Sequence, residues 1–182
     1  MPFIADHKQK FADLDFNIEN QDQLRRQANG GNSILFSYCP GEENLYIDKA
    51  RDIYEEKAEF IDISQLLVRF IDSDGWDAFS EYYRDFINTP HVVFKSDDPE
   101  QDLFDMIISA IKQACEKDKI PFLIRSGCLY GTGIENVNIM EHKDVMQLKH
   151  PLVIFYPSKI SEDNILFLNF RPASKYRCTL VK

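Results

Sequence analysis

Two short apolar runs flank a glycine-rich loop in the second half of the chain. Residues 120–125 read Ile-Pro-Phe-Leu-Ile-Arg, and residues 151–156 read Pro-Leu-Val-Ile-Phe-Tyr. Apolar runs of this length without alternation are typical of strands that are buried on both faces of a sheet. The loop between them, residues 126–133, contains Gly127, Gly131 and Gly133. Because open α/β sheets bind ligands beyond the carboxyl ends of their strands, this glycine loop is a candidate site.

The remaining segments predict one α/β domain. With 182 residues and 44% hydrophobic residues, the chain is long enough for a single core. We expect one domain over residues 1–182, divided into an N-terminal arm (1–30) and a core (31–182). Strands are predicted at residues 33–38, 60–63, 120–125, 151–156, 165–170 and 176–181.

Helix start signals separate these strands. Asp48, Ser64 and Asp98 are predicted N-caps, the last followed by Pro99 at the first helical position. A helix from Trp76 carries an aromatic stripe that we expect to pack in the core, and residues 138–148 are expected to form a further helix. Residues 91–94 fit either a short strand or a buried loop.

The spacing of the strands predicts a mixed sheet. Strand, helix and strand within about thirty residues form a parallel unit. The link from Tyr156 to Ile165 is too short for a helical crossover, so the strand that follows should run antiparallel. Residues 176–181 are then predicted as a terminal hairpin partner. The expected fold is a mixed, mainly parallel sheet flanked by helices, with an antiparallel C-terminal hairpin edge.

Composition argues against several classes of partner. The net charge of −9 and pI near 4.9 repel a phosphate backbone, so direct DNA binding is not expected.

The chain has no apolar run of about 18 residues and begins with a segment too polar for a secretory signal. We therefore expect a cytoplasmic protein that does not contact membranes. Its four cysteines contain no Cys-x-x-Cys pair and are expected to be reduced thiols.

The glycine loop leaves two interpretations open. Its backbone N–H groups, with Tyr130 beside them, could bind an anion or a nucleotide. Alternatively, Gly127, Gly131 and Gly133 only allow backbone angles that other residues avoid. The loop lacks the Gly-Lys-Ser/Thr ending of a phosphate-binding loop and the spacing of a dinucleotide fingerprint. We therefore favour the second interpretation.

The sequence predicts no catalytic residue, metal site or cofactor. Cys128 could act as a nucleophile with His142 as its base, but no family-specific signature surrounds either residue. The four histidines show no spacing typical of a zinc site. The chain is therefore expected not to be an enzyme.

The C-terminal segment is basic in an otherwise acidic chain. Arg171, Lys175, Arg177 and Lys182 follow one another without an intervening acid. They either protect a solvated edge strand from aggregation or, together with Tyr176, form a docking surface for an acidic partner. In an edge strand over residues 176–181, alternate side chains from Tyr176 onward should face the core, and Arg177 should face the opposite side.

The order of five motifs resembles the BrxB family of bacteriophage-exclusion (BREX) defence systems. The motifs are Gly31-Asn32 before residues 34–40, the Ile-Asp-Ile-Ser-Gln-Leu-Leu of residues 61–67, the apolar strand ending at Gly127 with Tyr130 after it, the Pro-Leu-Val-Ile-Phe-Tyr-Pro of residues 151–157, and the Tyr-Arg-Cys-Thr-Leu-Val of residues 176–181. The chain departs from the family pattern at Gly131, where the family tends to have proline, and at Ser158, where it usually has glycine.

The resemblance implies a cytoplasmic component of antiviral defence without an established enzymatic activity. Such a component works beside a PglZ-like phosphatase-family protein, a methyltransferase and a large ATPase. The expected function is thus a non-enzymatic interaction subunit whose partner is another defence protein, the PglZ-like protein above all. The alternative is a degenerate nucleotide- or anion-binding domain that uses residues 127–133.

Overall fold

A computed structural model of the protein describes residues 2–96, 101–161 and 164–182. Its helices are α1 (Pro2–Glu19), α2 (Gln21–Gln27), α3 (Glu43–Tyr54), α4 (Ile63–Asp74), α5 (Trp76–Asp85), α6 (His91–Phe94), α7 (Leu103–Glu116), α8 (Asn136–Met140) and α9 (Lys143–Met146). Its strands are β1 (Ser33–Tyr38), β2 (Ala58–Asp62), β3 (Ile120–Ile124), β4 (Leu152–Ile160), β5 (Ile165–Phe167), β6 (Arg171–Ala173) and β7 (Cys178–Val181). Short 3₁₀ turns lie at Pro40–Glu42 and Ser126–Leu129.

The sheet is mixed and mainly parallel, which confirms the predicted fold class. Strands β2, β3, β4, β1 and β7 lie side by side in this order, and all four of these pairings are parallel. Strand β4 is long enough to pair with parallel strands along its first part and with an antiparallel strand at its end. Beyond its parallel section, its residues 158–160 pair antiparallel with β5, which in turn pairs with β6.

Helices cover both faces of the sheet and divide the core in two. Helices α1, α2 and α3 pack on one face in an aromatic cluster that includes Phe36, Tyr46 and Phe155. Helices α4 to α9 and strand β5 cover the other face. Every residue of β1 and β3 is buried, as the unbroken apolar runs predict. Among the described helices, none is long and apolar enough to cross a membrane.

Several predicted helix starts are wrong by a few residues. Helix α3 begins at Glu43, so Asp48 lies inside it. The N-cap of α4 is Asp62, whose carboxylate accepts from the backbone N–H groups of residues 64 and 65. Helix α7 is capped by Asp102, which also accepts a bond from the backbone N–H of Ser96. Asp98 and Pro99 lie outside the described residues.

Other segments also differ from the prediction. Residues 91–94 form a one-turn helix, and residues 138–148 are divided between α8 and α9. The predicted aromatic stripe buries Phe79, whereas Trp76, the first residue of α5, and Ile87, which follows the helix, are exposed. The stripe is therefore only partly core.

The terminal strand pairs differently from the prediction. Strand β7 runs parallel to β1, and the hairpin partner of β5 is β6. Arg177, with a φ of 59°, precedes the strand, and its carbonyl packs directly on Gly31. The predicted alternation holds within β7, because Cys178 and Leu180 contact one core cluster and Val181 belongs to the other. Tyr176 precedes β7 and is exposed, so its predicted burial is wrong.

Candidate functional site

Charged side chains meet at the carboxyl ends of β1, β2 and β3. The guanidinium of Arg125 lies 3.4 Å from a carboxylate oxygen of Glu43 and 3.4 Å from one of Asp62, and it donates to the Asn44 amide oxygen at 3.3 Å. Arg125 has a φ of 58°, a left-handed conformation that is uncommon for residues other than glycine. Arg125, which follows β3, therefore links the end of β2 and the start of α3 at the point where the glycine loop begins.

Several backbone N–H groups of the glycine loop form bonds within its own turns. These bonds, from donor to acceptor, link Cys128 to Arg125, Tyr130 to Gly127 and Thr132 to Leu129. Just after the loop, residues 134 and 135 donate to the side chains of residues 132 and 138. An anion-binding loop needs several free N–H groups that point at the ligand. Three loop donors, the N–H groups of Cys128, Tyr130 and Thr132, are thus already engaged, and these bonds do not involve the N–H groups of the three loop glycines.

Two of the loop glycines have a structural reason to be glycine. Gly131 and Gly133 have φ values of 85° and 79°, which favour glycine. A Cβ on Gly133 would also lie 2.7 Å from the Cβ of His91. Gly127 differs, because a Cβ there would make ordinary contacts with Leu168 and Pro157. Backbone angles and close packing thus explain Gly131 and Gly133 without a ligand.

The loop forms one side of a small cleft, and the β5–β6 hairpin forms the other. The cleft has a volume of about 60 Å³. Tyr130, Gly131 and Gly133 from the predicted ligand-binding set line it together with Arg171 from the predicted partner-binding set. We call this space the loop cleft.

The other predicted partner-binding residues lie outside the loop cleft. Arg177 lies 3.4 Å from a Glu141 carboxylate oxygen and stacks its guanidinium on the Tyr176 ring at 5.3 Å. Lys175 lines a separate, smaller depression near Ile160. The predicted basic patch is therefore divided, and only Arg171 joins the glycine loop.

Two exposed aromatic rings stand beside the loop cleft. Tyr130 is 52% exposed and Phe170 is 58% exposed, and their rings meet edge to face at 5.4 Å. Arg171, next to Phe170, donates to a Glu135 carboxylate oxygen at 2.9 Å. Glu135 is the N-cap residue of α8, which places the ion pair at a helix end.

The buried wall of the loop cleft contains Tyr156. This residue is only 4% exposed, and its ring stacks on Phe167 at 4.8 Å. Burial, reinforced by the charge of Glu135, raises the pKa of the Tyr156 hydroxyl. The group therefore remains protonated and able to donate at neutral pH.

Cys128 and His142 are not arranged as a nucleophile and its base. Burial, with the charges of Asp62 and Glu43 adding to it, raises the pKa of the Cys128 thiol to about 12, whereas a reactive cysteine needs a lowered pKa. His142 caps α9 by accepting from the Asp144 N–H, and its ring packs edge-on against Phe104. The described histidines, cysteines and acids form no group of three or more that could hold a metal ion.

Sequence reasoning missed the residues that complete the loop cleft. The apolar run 151–156 predicts Tyr156 only as part of a buried strand, and no motif points to Glu135 or Phe170. A usable signal was position, because these three residues lie just after, or at the end of, predicted strands and the glycine loop. Arg125, the last residue of the apolar run 120–125, carried the same signal.

Comparisons with protein-family models, with curated proteins and with solved structures found no match. The resemblance to the BrxB family therefore rests on the order of the sequence motifs, and any function drawn from it is a proposal.

Proposed function

We propose that this protein is a non-enzymatic interaction subunit of a BREX-type defence system and that it binds its partner beside the loop cleft. The observation that carries the proposal is the exposed aromatic pair of Tyr130 and Phe170 next to Arg171. Tyrosine and arginine are enriched among the residues that dominate binding energy at protein interfaces, and phenylalanine is enriched at their cores.

Both rings are held by ordered backbone rather than by a mobile tail. Tyr130 directly follows the 3₁₀ turn Ser126–Leu129, and its N–H donates to the Gly127 carbonyl. Phe170 follows Leu168 and Asn169, which have left-handed backbone angles in the β5–β6 turn, and its N–H donates to the Phe167 carbonyl. Side chains that are already in place lose less entropy when a partner covers them.

The partner in this proposal is a cytoplasmic defence protein. The BrxB resemblance makes a PglZ-like phosphatase-family protein the first candidate to test. The raised pKa of Cys128 and the engagement of His142 at a helix start support a subunit without thiol chemistry of its own.

Expression of an affinity-tagged protein from its native operon tests the proposal. We expect products of neighbouring genes to co-purify with the wild-type protein and to be lost from the Tyr130→Ala/Phe170→Ala double variant. The matched control is Trp76→Ala/Tyr82→Ala, which removes two aromatic rings of similar exposure from α5 and should retain the partner. Recovery of the wild-type protein alone, or equal loss from both double variants, would contradict the proposal.

The second candidate is an anion- or nucleotide-binding domain, favoured by the position of residues 127–133 after a central strand. Thermal unfolding with ATP, GTP and their diphosphates separates the two candidates. A nucleotide at about a hundred times its dissociation constant stabilises the folded state by about 2.7 kcal/mol. We expect no stabilisation, because the loop cleft of about 60 Å³ is far smaller than the roughly 300–1,000 Å³ of pockets that hold cofactors.

A further inference from the structure

Resting on the proposed function, we infer that the loop cleft binds a carboxylate, supplied by an aspartate or glutamate side chain of the partner protein. Tyr156 and Arg171 would donate hydrogen bonds to this carboxylate. The exposed rings of Tyr130 and Phe170 would contact apolar residues on either side of the acid.

The first observation is an unused donor on the buried wall. Tyr156 is more than nine-tenths buried and lines the cleft, yet its hydroxyl makes no hydrogen bond to any residue of the ranges 2–96, 101–161 and 164–182. The hydroxyl oxygen is not one of the enclosed, unpartnered polar atoms of the described residues, so it is open to water in the cleft. A carboxylate that enters the cleft would displace this water and accept a charge-assisted hydrogen bond from the hydroxyl.

The second observation is the spare capacity of Arg171. A guanidinium has five N–H donors in a planar fork, and a single bond from Arg171, to Glu135 at 2.9 Å, is formed within the described part of the chain. Its other N–H groups can donate to a second carboxylate in the fork geometry that arginine favours. Because Tyr156 and Arg171 are both donors, the cleft favours a ligand that accepts hydrogen bonds. A charged acceptor forms stronger hydrogen bonds than a neutral one.

Size limits what the cleft can hold. Pockets for drug-sized ligands and cofactors occupy roughly 300–1,000 Å³, whereas the loop cleft measures about 60 Å³. This space suits the end of one side chain rather than a nucleotide. A protein partner that inserts one acidic residue satisfies both the size and the donor pattern.

Titration of the 182-residue protein with two blocked dipeptides tests this inference by NMR. The probe is acetyl-Phe-Glu-amide, and acetyl-Phe-Gln-amide is its uncharged, isosteric control. We expect the glutamate peptide to shift the backbone amide signals of residues 130–134, 171, 173 and 174 and the glutamine peptide to bind at least about tenfold more weakly. Equal binding of both peptides, or no shift with either, would overturn the inference.

Tyr156→Phe is the sharpest variant for this test. It removes only the hydroxyl, which has no partner within the described residues, so the melting temperature should stay close to that of the wild type. Affinity for acetyl-Phe-Glu-amide should fall about tenfold, because a hydrogen bond to a charged group is lost. Unchanged affinity in a folded Tyr156→Phe protein would refute the role of this hydroxyl.

The same variant separates failure of this inference from failure of the proposed function. In co-purification, Tyr156→Phe should weaken retention of the partner. If Tyr156→Phe retains the partner fully while Tyr130→Ala/Phe170→Ala loses it, the carboxylate inference fails and the proposed function stands. If both variants retain the partner fully, the proposed surface itself is wrong.

Discussion

The close approach of Gly31 to Arg177 makes a strong prediction about how the terminal strand is held. A Cβ on Gly31 would lie 2.0 Å from the Arg177 carbonyl oxygen and 2.7 Å from its carbonyl carbon. An ordinary contact requires at least 3.4 Å, so the Arg177 backbone would have to retreat by about 1.4 Å, the difference between 3.4 and 2.0 Å. The obstacle is main chain, which cannot rotate away as a side chain can.

The loss of stability expected for Gly31→Ala depends on how far β7 moves together with the Arg177 backbone. Overpacking of this kind costs about 1–3 kcal/mol. Displacement of β7 would also weaken its pairing with β1, which starts at Ser33 and Cys178, and the burial of Val181. Loss of one buried valine adds about 1.5 kcal/mol or more. We therefore expect Gly31→Ala to lower the free energy of unfolding by about 3 kcal/mol.

Urea unfolding followed by circular dichroism measures this effect, and Gly41→Ala is the matched control. A Cβ on Gly41 would meet nothing within 4 Å, and Gly41 is not among the glycines with positive φ. The control should be neutral or stabilising by up to about 1 kcal/mol. A Gly31→Ala protein that is as stable as the wild type would refute the account of how β7 docks.

Three further predictions concern the core, the thiols and acid stability. Asn32→Ala should cost about 2–4 kcal/mol in urea unfolding, because the buried Asn32 amide donates to the carbonyls of residues 148 and 150 and accepts from residue 21; a loss under 1 kcal/mol would contradict this. At pH 8, iodoacetamide should modify the exposed Cys39 well before Cys128, whose pKa is raised to about 12; equal rates, measured by mass spectrometry, would argue against it. Hydrogen bonds from Lys149 and His150 lower the pKa of Asp118, so its contribution is present above its unfolded pKa and is lost as pH falls through its folded pKa. Asp118→Asn should therefore have a lower free energy of unfolding than the wild type near neutral pH. In acid, the difference in free energy of unfolding between the two proteins should become smaller.

The central strands could be predicted because strands buried on both faces consist of unbroken apolar runs in the sequence. Strand β1 has the predicted bounds, and β3 and β4 lie at the predicted runs. The direction of β7 could not be predicted, because it depends on where the chain re-enters the sheet. The Arg177 backbone packs against Gly31 where the chain re-enters the sheet. Because these two residues are far apart in sequence, no local sequence pattern predicts their contact.

Helix starts were less predictable because several residues near each start can act as a cap. Asp62 and Ser64 both suit the start of α4, and the structure selects Asp62 through its bonds to two backbone N–H groups. A contact outside the helix also fixes the start of α7. The Asp102 carboxylate accepts from the N–H of Asp105 within the helix and from the N–H of Ser96 before it. Propensity alone does not distinguish such neighbours.

The candidate site was predictable in place but not in composition. Glycines after a buried strand mark the loop, and Tyr130 and Arg171 were recognised from their residue types. Tyr156 was not recognised, because a tyrosine in an apolar run is read as core and its unused hydroxyl is visible only in three dimensions. Phe170 gains its role from the fold of the β5–β6 hairpin, which brings its ring to Tyr130.

Hydrogen–deuterium exchange of the purified complex tests the central claim most directly. Once a partner has been captured from the native operon, amide exchange is compared with and without it across the whole chain. The proposed interaction subunit predicts slower exchange in residues 126–135 and 165–173, which surround the loop cleft, with α5 unchanged. Protection centred on α5 and its exposed Trp76, with the glycine loop and the β5–β6 hairpin unchanged, would contradict the account.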